Sequence, residues 1–376
     1  MEIGKIEMSE LRLTLKVITP LLMNGADGKP ELRAASFRGV FRYWLRALLG
    51  ATYGNDIGEL YKAESRYFGS TKQGSSLNLR AMGDLNIADF VPYKQREEMK
   101  LLDNVVLPAR LRFEHFTAGQ EFTLVLSTHP LISPNAIFTS QLYGSLLLAF
   151  TLGGFGKRSR RGGGHIQIED ISCTFPTEQI RNFKYLADVL KNKAPYEAIS
   201  EVIHSINPDY FNPSIPNYPT FDNRNCLVLI GKEGYDSHIG ALSTAWESAK
   251  KYAHTKTEIE LKDSKKRSSP SKIVSVDRRW AWGFAGKVQL PKDLDRKWQI
   301  PKNSVYFGGR KASNVHITAH SYQNEFYPVV TIFRSSPDYD DRHSGKKRSW
   351  KLLNEFSCNL ESNGFERIYG DRSSWL

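Results

Sequence analysis

The sequence predicts an α+β fold of two ferredoxin-like (βαββαβ, RRM-like) modules in tandem, with insertions, and three observations carry that prediction. Leu11, Leu13, Leu15 and Val17 alternate with Arg12, Thr14 and Lys16, the period-two pattern of a half-buried strand. Two later segments, near 36–49 and 133–150, are apolar at helical spacing or nearly all round. Strand-like stretches at 77–82, 122–127 and 165–171 complete the order strand, helix, strands, helix, strand.

Each element has a local reason. Thr19–Pro20 ends the first strand, and the segment from Asn24 to Pro30 is a loop by composition. Ser36 is placed to cap a helix that Gly50 would terminate, with Phe37, Phe41, Trp44, Leu45 and Leu48 on its apolar face. A polar insertion occupies 86–104. Ser133–Pro134 opens the second helix, because serine caps and proline suits the first helical position. Its later turns, from Leu142 to Phe150, predict burial.

The first module is expected over 1–175 and a polar, proline-containing connector with helical patches over 176–222. A diverged second module follows over 223–376. The second module begins with an apolar strand at 226–230 and a helix over 238–252, and ends with a helix near 350–360. Between them lie a charged, serine-rich stretch at 261–272 and three strand-like segments at 304–307, 314–318 and 326–333.

Composition narrows the function classes. The 376 residues carry a net charge of +12, with 40% hydrophobic and 24% charged residues, an ordinary globular balance with a basic bias. No apolar stretch is long enough to span a bilayer, and residues 1–9 lack the apolar core of a secretory signal. The cysteines, Cys173, Cys226 and Cys358, are odd in number and far apart, against a disulfide framework or a zinc ribbon. A cytoplasmic protein is expected, with no cofactor and no metal.

The strongest local signal lies at 153–164. Lys157, Arg158, Arg160 and Arg161 fall within five residues, flanked by Gly153, Gly154, Gly156, Gly162, Gly163 and Gly164. No acidic residue lies between Phe122 and Ile168. Glycines permit close backbone approach to a ligand, exposed N–H groups form an anion concavity, and arginines add bidentate phosphate recognition. A Walker A loop is excluded because GxxxxGK[ST] is absent, and a dinucleotide fingerprint because the loop follows a helix and precedes a strand. In the second half, Gly308-Gly309-Arg310-Lys311-Ala312-Ser313 stands where the first half has this loop, which adds Arg310 and Lys311 as candidate anion contacts.

A second cationic signal lies on the first helix. Arg38, Arg42 and Arg46, spaced by four, line one face, with Arg33 just ahead of them. No Asp or Glu lies between Leu32 and Asn55, so pairing within the helix does not account for the ridge; acids from elsewhere could. Ridge and loop are expected to form one track for a polyanion. Catalytic arrangements are weaker. Asp27 sits in a turn-forming loop, where aspartate commonly only shapes the turn, and His165 adjoins the basic loop as a possible acid or base. His316 and His320 would pair on one helical face but fall on a predicted strand, and no carboxylate or cysteine stands at metal-binding spacing beside them. Arg278-Arg279-Trp280-Ala281-Trp282-Gly283 reads equally as a base-stacking run or a core edge.

Several of these segments resemble one family in order. Ile18-Thr19-Pro20-Leu21-Leu22, then the stretch from Gly25 to Arg33, then Ser36-Phe37-Arg38-Gly39-Val40-Phe41-Arg42-Tyr43-Trp44, is similar to the start of a RAMP-superfamily protein. The similarity is greatest to the first RAMP subunit of type III-B (Cmr) CRISPR effector complexes. The segment from Glu64 to Ser70 resembles that family's next motif, and the stretch from Gly154 to Gly164 its glycine-rich signature, although the three glycines before His165 depart from the pattern. The resemblance covers most of 11–173 and implies a noncatalytic, RNA-binding subunit acting in antiviral defence. Its implied partners are guide RNA, in its 3′ region, target RNA and other RAMP subunits, with no membrane. The alternative is a RAMP-type endoribonuclease using His165 or Asp27. A basic protein–protein adaptor is compatible with the first reading.

Overall fold

The computed structural model describes residues 9–88, 114–129, 131–206, 218–254, 256–261, 272–277, 286–288, 305–307, 314–334 and 350–375. It is a mixed α+β protein whose sheets are antiparallel throughout.

The chain enters as strand β1 (Glu10–Val17), whose leucines are fully buried while Arg12 is exposed, as its alternation requires. Helices α1 (Ala34–Tyr53) and α2 (Ile57–Phe68) lead to β2 (Leu77–Met82) and to the short strands β3 (Ile87–Ala88) and β4 (His115–Phe116). Strand β5 (Glu121–Thr128), the single turn α3 (Pro134–Ile137), helix α4 (Ser140–Leu152) and β6 (Ile166–Cys173) complete the first sheet, ordered β2-β5-β1-β6. Helices α5 (Glu178–Asn192) and α6 (Pro195–Ile206) precede β7 (Cys226–Gly231) and α7 (His238–His254). A separate sheet, β8 (Lys256–Leu261) to β9 (Lys272–Asp277), β10 (Gly286–Val288) and β11 (Val305–Phe307), comes next. Then β12 (Val315–Tyr322), β13 (Glu325–Phe333), helix α8 (Trp350–Ser362) and β14 (Phe365–Tyr369) close the last sheet, ordered β12-β13-β7-β14.

With inserted elements set aside, strands and helices follow one another in the same sequence in the first and last of the three four-stranded sheets, and the strand order of those two matches position for position. That match relocates one sequence expectation. The place equivalent to the 153–164 loop, after the second helix and before the fourth strand, is the Asn363–Gly364 turn between α8 and β14, where Gly364 has φ +86°. Residues 308–313, with Arg310 and Lys311, lie outside the described residues and in chain order precede the second strand of that sheet. The tryptophan-containing run 278–283 also lies outside them, as does most of the polar insertion near 86–104.

One core joins the two sheets. The buried face of β1 packs with Phe37, Phe41 and Trp44 of α1 and Leu146 of α4, and the same cluster continues to Val228 and Ile230 of β7 and to Phe333 of β13. All six residues of β7 are buried in a sheet that packs against α4, α7 and α8 and, through Tyr43 and Trp44, against α1. The connector expected over 176–222 also joins this core through Ile180, Phe183, Leu186, Ile199 and Val202, so α5 and α6 are structural walls.

Three helix boundaries differ from expectation. Ser36 is inside α1, and its backbone N–H donates to the Arg33 carbonyl; Arg33 occupies the capping position without a side-chain cap. Gly50 does not end α1, which runs to Tyr53 and is capped by Gly54. A Cβ on Gly50 would approach the Tyr218 ring at 2.8 Å and the Thr220 hydroxyl at 2.9 Å, so glycine here admits a neighbouring segment. Likewise Ser133–Pro134 opens only the turn α3, and Thr139 caps α4. Among the described residues, no helix is long and apolar enough to cross a membrane, and the three cysteines are unpaired.

Candidate nucleic-acid interface

The basic loop is held by an aromatic anchor. Phe155, fully buried, lies 5.0 Å from the Phe37 ring, 5.8 Å from Phe41 and 5.2 Å from Phe150, at the seam of α1 and α4. Backbone bonds then fold the chain over this anchor. Phe155 N donates to Gly164 O at 2.8 Å, Lys157 N to Leu22 O at 2.8 Å, and Gly164 N to Pro20 O at 2.9 Å. Arg161 N and Gly163 N both donate to the Arg158 carbonyl, closing a 3₁₀ turn over Ser159–Arg161.

Five of the loop's N–H groups thus serve the fold itself, which corrects the expectation of an open backbone cradle: the charge lies in side chains. The glycines explain the tightness. Gly156 and Gly164 take φ +78° and +66°, and a Cβ on them would overlap the carbonyl oxygens of Leu22 and Phe155. Gly153 admits the Trp44 indole nitrogen, Gly154 the carbonyls of Ser159 and Gly163, and Gly162 the side chain of Leu242 on α7. Gly163, in the departure from the family pattern, has no left-handed φ, and a Cβ on it would meet Lys157 O at 3.1 Å and Arg158 O at 3.4 Å.

The four cations are set differently. Lys157 is exposed, and Arg158, at φ +61°, is half-buried where a non-glycine residue is strained. Burial pulls the Arg158 guanidinium below its ordinary pKa. Arg160 lies over the Tyr43 ring, with its guanidinium carbon 4.9 Å from the centroid, and Arg161 over Trp246 of α7 at 5.7 Å. The Tyr43 hydroxyl is 2.9 Å from His316 Nε2 on β12, and the two rings stack at 5.3 Å. Burial raises the Tyr43 phenol, while burial and the charge of Arg160 push His316 well down.

The α1 ridge is a different object. Glu64 of α2 is 2% exposed and accepts both nitrogens of a bidentate contact from Arg46, as well as an ion pair from Arg42 at 3.2 Å. Arg42 also donates to the carbonyls of Phe68, at 3.0 Å, and Gly69, and Arg38 to that of Leu77 at 3.4 Å. The hydrogen bond to Glu64 raises the pKa of Arg46, and burial lowers that of Arg38. These contacts correct the reading of Arg42 and Arg46 as an unengaged phosphate-binding face: the acid comes from 18 residues further on. Nor do ridge and loop make one track. Arg33, which donates to Asn24 O at 3.2 Å, adjoins the loop through Leu22–Asn24, whereas Arg38, Arg42 and Arg46 turn toward α2 and β2.

The two catalytic candidates have structural partners. His165 is 1% exposed, its Nδ1–H donates to Gly153 O at 3.1 Å, and its ring lies 6.5 Å from that of His320. Burial, with the nearby His320, lowers its pKa to about 4. His320 Nε2–H donates to Leu190 O at 3.0 Å, and burial brings its pKa to about 4 as well. His316 and His320 do share a face: positions i and i+4 of a strand point the same way, here toward α1 and His165. The Asp27 carboxylate accepts from Lys29 N at 3.0 Å, shaping its own turn. No cluster of three metal-binding side chains occurs among the described residues.

Sequence reasoning missed Glu64, Tyr43 and Trp246, and weighed His316 only as a metal ligand. Glu64 had a signal: Ile57–Phe68 is amphipathic and capped by Asp56, so a helix beside the ridge, with an inward carboxylate, was readable. The other three are visible only once β12 and α7 are placed against α1.

Comparison with known proteins agrees with this architecture. The family model of the RAMP superfamily matches residues 14–167. The chain is 33% identical over 185 residues to the CRISPR system Cmr subunit Cmr1-2 of Pyrococcus furiosus, covering 43% of this chain and 96% of that one. Against Cmr1-1 of the same organism it is 31% identical over 206 residues, covering 51% of this chain and 57% of the relative. Among solved structures, the apo form of Cmr1 from Pyrococcus furiosus superposes with a TM-score of 0.61 at 19% identity, over 96% of this chain and 99% of that one. A chain of the type III-B Cmr-beta complex bound to cognate target RNA gives 0.61 at 15%, over 95% of this chain and 100% of that one.

Proposed function

The chain belongs to the RAMP superfamily, among relatives of Cmr1, and on that premise we propose that it is a noncatalytic RNA-binding subunit of a type III-B Cmr effector. In this reading it contacts single-stranded RNA, guide or target, beside other RAMP subunits. The observation that carries the proposal is the loop: a backbone anchored by Phe155 carries the exposed Lys157 and the half-buried Arg158, and it is bonded to Leu22, two residues before the Asn24 carbonyl that Arg33 contacts. Cations fixed on a stiff turn meet phosphates at little ordering cost, and they read charge and not sequence. The structural partners of His165 and Asp27 support the noncatalytic reading over the endoribonuclease alternative. The matching strand orders support two ferredoxin-like modules, 1–175 and 223–376, with 176–222 between them.

The test is RNA affinity as a function of salt. Binding of single-stranded RNA should weaken by about 0.7 log units per decade of salt for each phosphate contact. Lys157→Glu with Arg158→Glu should weaken unrelated sequences by similar factors and reduce the salt slope by about 1.4, two contacts' worth. An unchanged slope would remove the loop as the site. Defined RNA products abolished by Asp27→Ala or His165→Ala would overturn the noncatalytic assignment.

A further inference from the structure

We propose that Tyr43, His316 and Trp246 are positioning residues that lock the basic loop in its phosphate-facing form, so that the C-terminal sheet and its helix set the RNA contact made by the N-terminal one. This rests on the reading of the loop as an RNA site, and it adds a device that controls that site.

The geometry is a stack of three layers. Arg160 lies on Tyr43 at 4.9 Å, Tyr43 stacks on His316 at 5.3 Å and meets its Nε2 through the hydroxyl at 2.9 Å, and His316 in turn contacts Phe333 at 5.6 Å. Tyr43 belongs to α1, and His316 and Phe333 to the C-terminal sheet. On the other side of the turn, Arg161 lies on Trp246, and Leu242 packs where a side chain at residue 162 would stand. Arg161 is therefore seated directly on α7, and Arg160 on an α1 ring that β12 backs through His316.

The choice of partner matters chemically. An aromatic face attracts a guanidinium through its quadrupole but does not neutralise its charge, whereas a carboxylate would. The ring contacts orient Arg160 and Arg161 without themselves cancelling charge beside Lys157 and Arg158. The strained φ of Arg158 needs such outside support, because left-handed backbone at a non-glycine residue persists only where its surroundings over-determine it.

Trypsin cleaves after lysine and arginine, so cleavage within 157–161 of the full chain, read by mass spectrometry, reports loop opening without RNA. Tyr43→Leu and Trp246→Leu should each raise that rate by about tenfold, as loss of one partly buried cation–π contact implies. Both should weaken RNA binding by about threefold or more. Tyr43→Phe, which keeps the ring, should restore most of the protection. Trp246 is only half-buried, so its variant tests the seat without opening the core. Cleavage at the parent rate in both leucine variants would overturn the proposal. So would a rise shared equally by sites across the whole chain, which would mark general unfolding. Loop opening in the variants of a parent that binds no RNA would keep the seat and remove the RNA reading.

Discussion

The α1 ridge and the 153–164 loop look alike in sequence, each a cluster of cations with no acid nearby, and the fold treats them in opposite ways. The ridge is compensated: one buried carboxylate takes two guanidiniums, and backbone carbonyls take the rest. In the loop, Arg160 and Arg161 are placed on rings and Lys157 is exposed. An arginine on a carboxylate braces two helices, and a ring contact orients an arginine without itself cancelling its charge. The comparison teaches that cation density alone does not identify a nucleic-acid surface; the chemistry of each cation's partner does.

The largest effect that sharpens the comparison falls on the loop's backbone. Gly164→Ala would force a left-handed residue and set its Cβ against the Phe155 carbonyl. The expected loss is about 3 kcal/mol, combining the left-handed penalty with overpacking. Gly163→Ala, one residue earlier, should cost under about 1 kcal/mol, because its φ is ordinary and a small shift relieves the contact to Lys157 O. Denaturant melts of the pair decide it. Equal losses would mean that the glycine run is a flexible spacer and not a fitted turn.

The next effect belongs to the ridge. Glu64→Ala should destabilise by about 2 kcal/mol, since Arg42 and Arg46 lose a buried partner but remain part-exposed and partly solvated. Its affinity for RNA should stay near the parent's or rise, because positive charge is released and not removed. If Glu64→Ala melted like the parent, the ridge would no longer count as a brace.

How much of this was readable follows from what each signal depends on. The alternation in β1 and β5 and the apolar run of β7 depend on neighbours two residues apart, and the strands formed where expected. The extent of α1 was not readable. A mid-helix glycine costs about 1 kcal/mol in isolation, and here Tyr218 and Thr220 from distant sequence pack into the space it leaves. The loop's glycines were evident as a group, yet only the fold tells Gly164, fixed by its φ, from Gly163. Glu64, Tyr43 and His316 act through contacts 18 to 273 residues away in sequence, beyond any local pattern.

The smallest effect per group, spread over several histidines, comes from acid, and it should strike the loop's backing and leave the ridge intact. His165 and His320 are neutral and buried, each near pKa 4 against about 6.5 unfolded, and His316 is also pushed down. A depressed folded pKa means that the unfolded chain binds the proton first. The stability from each group is therefore full above about pH 6.5 and is lost as pH falls toward its folded pKa. Between pH 6.5 and 5, His165 and His320 should each remove on the order of 1–2 kcal/mol, before most carboxylates titrate. Groups packed against them include Arg160 beside His316, which already opposes a second charge there. Trypsin cleavage within 157–161 should rise over that interval before cleavage near Arg42 or Arg46. A loop that stayed protected while the α1–α2 contact opened first would reverse the order and show that the histidines back the core in general and not the loop.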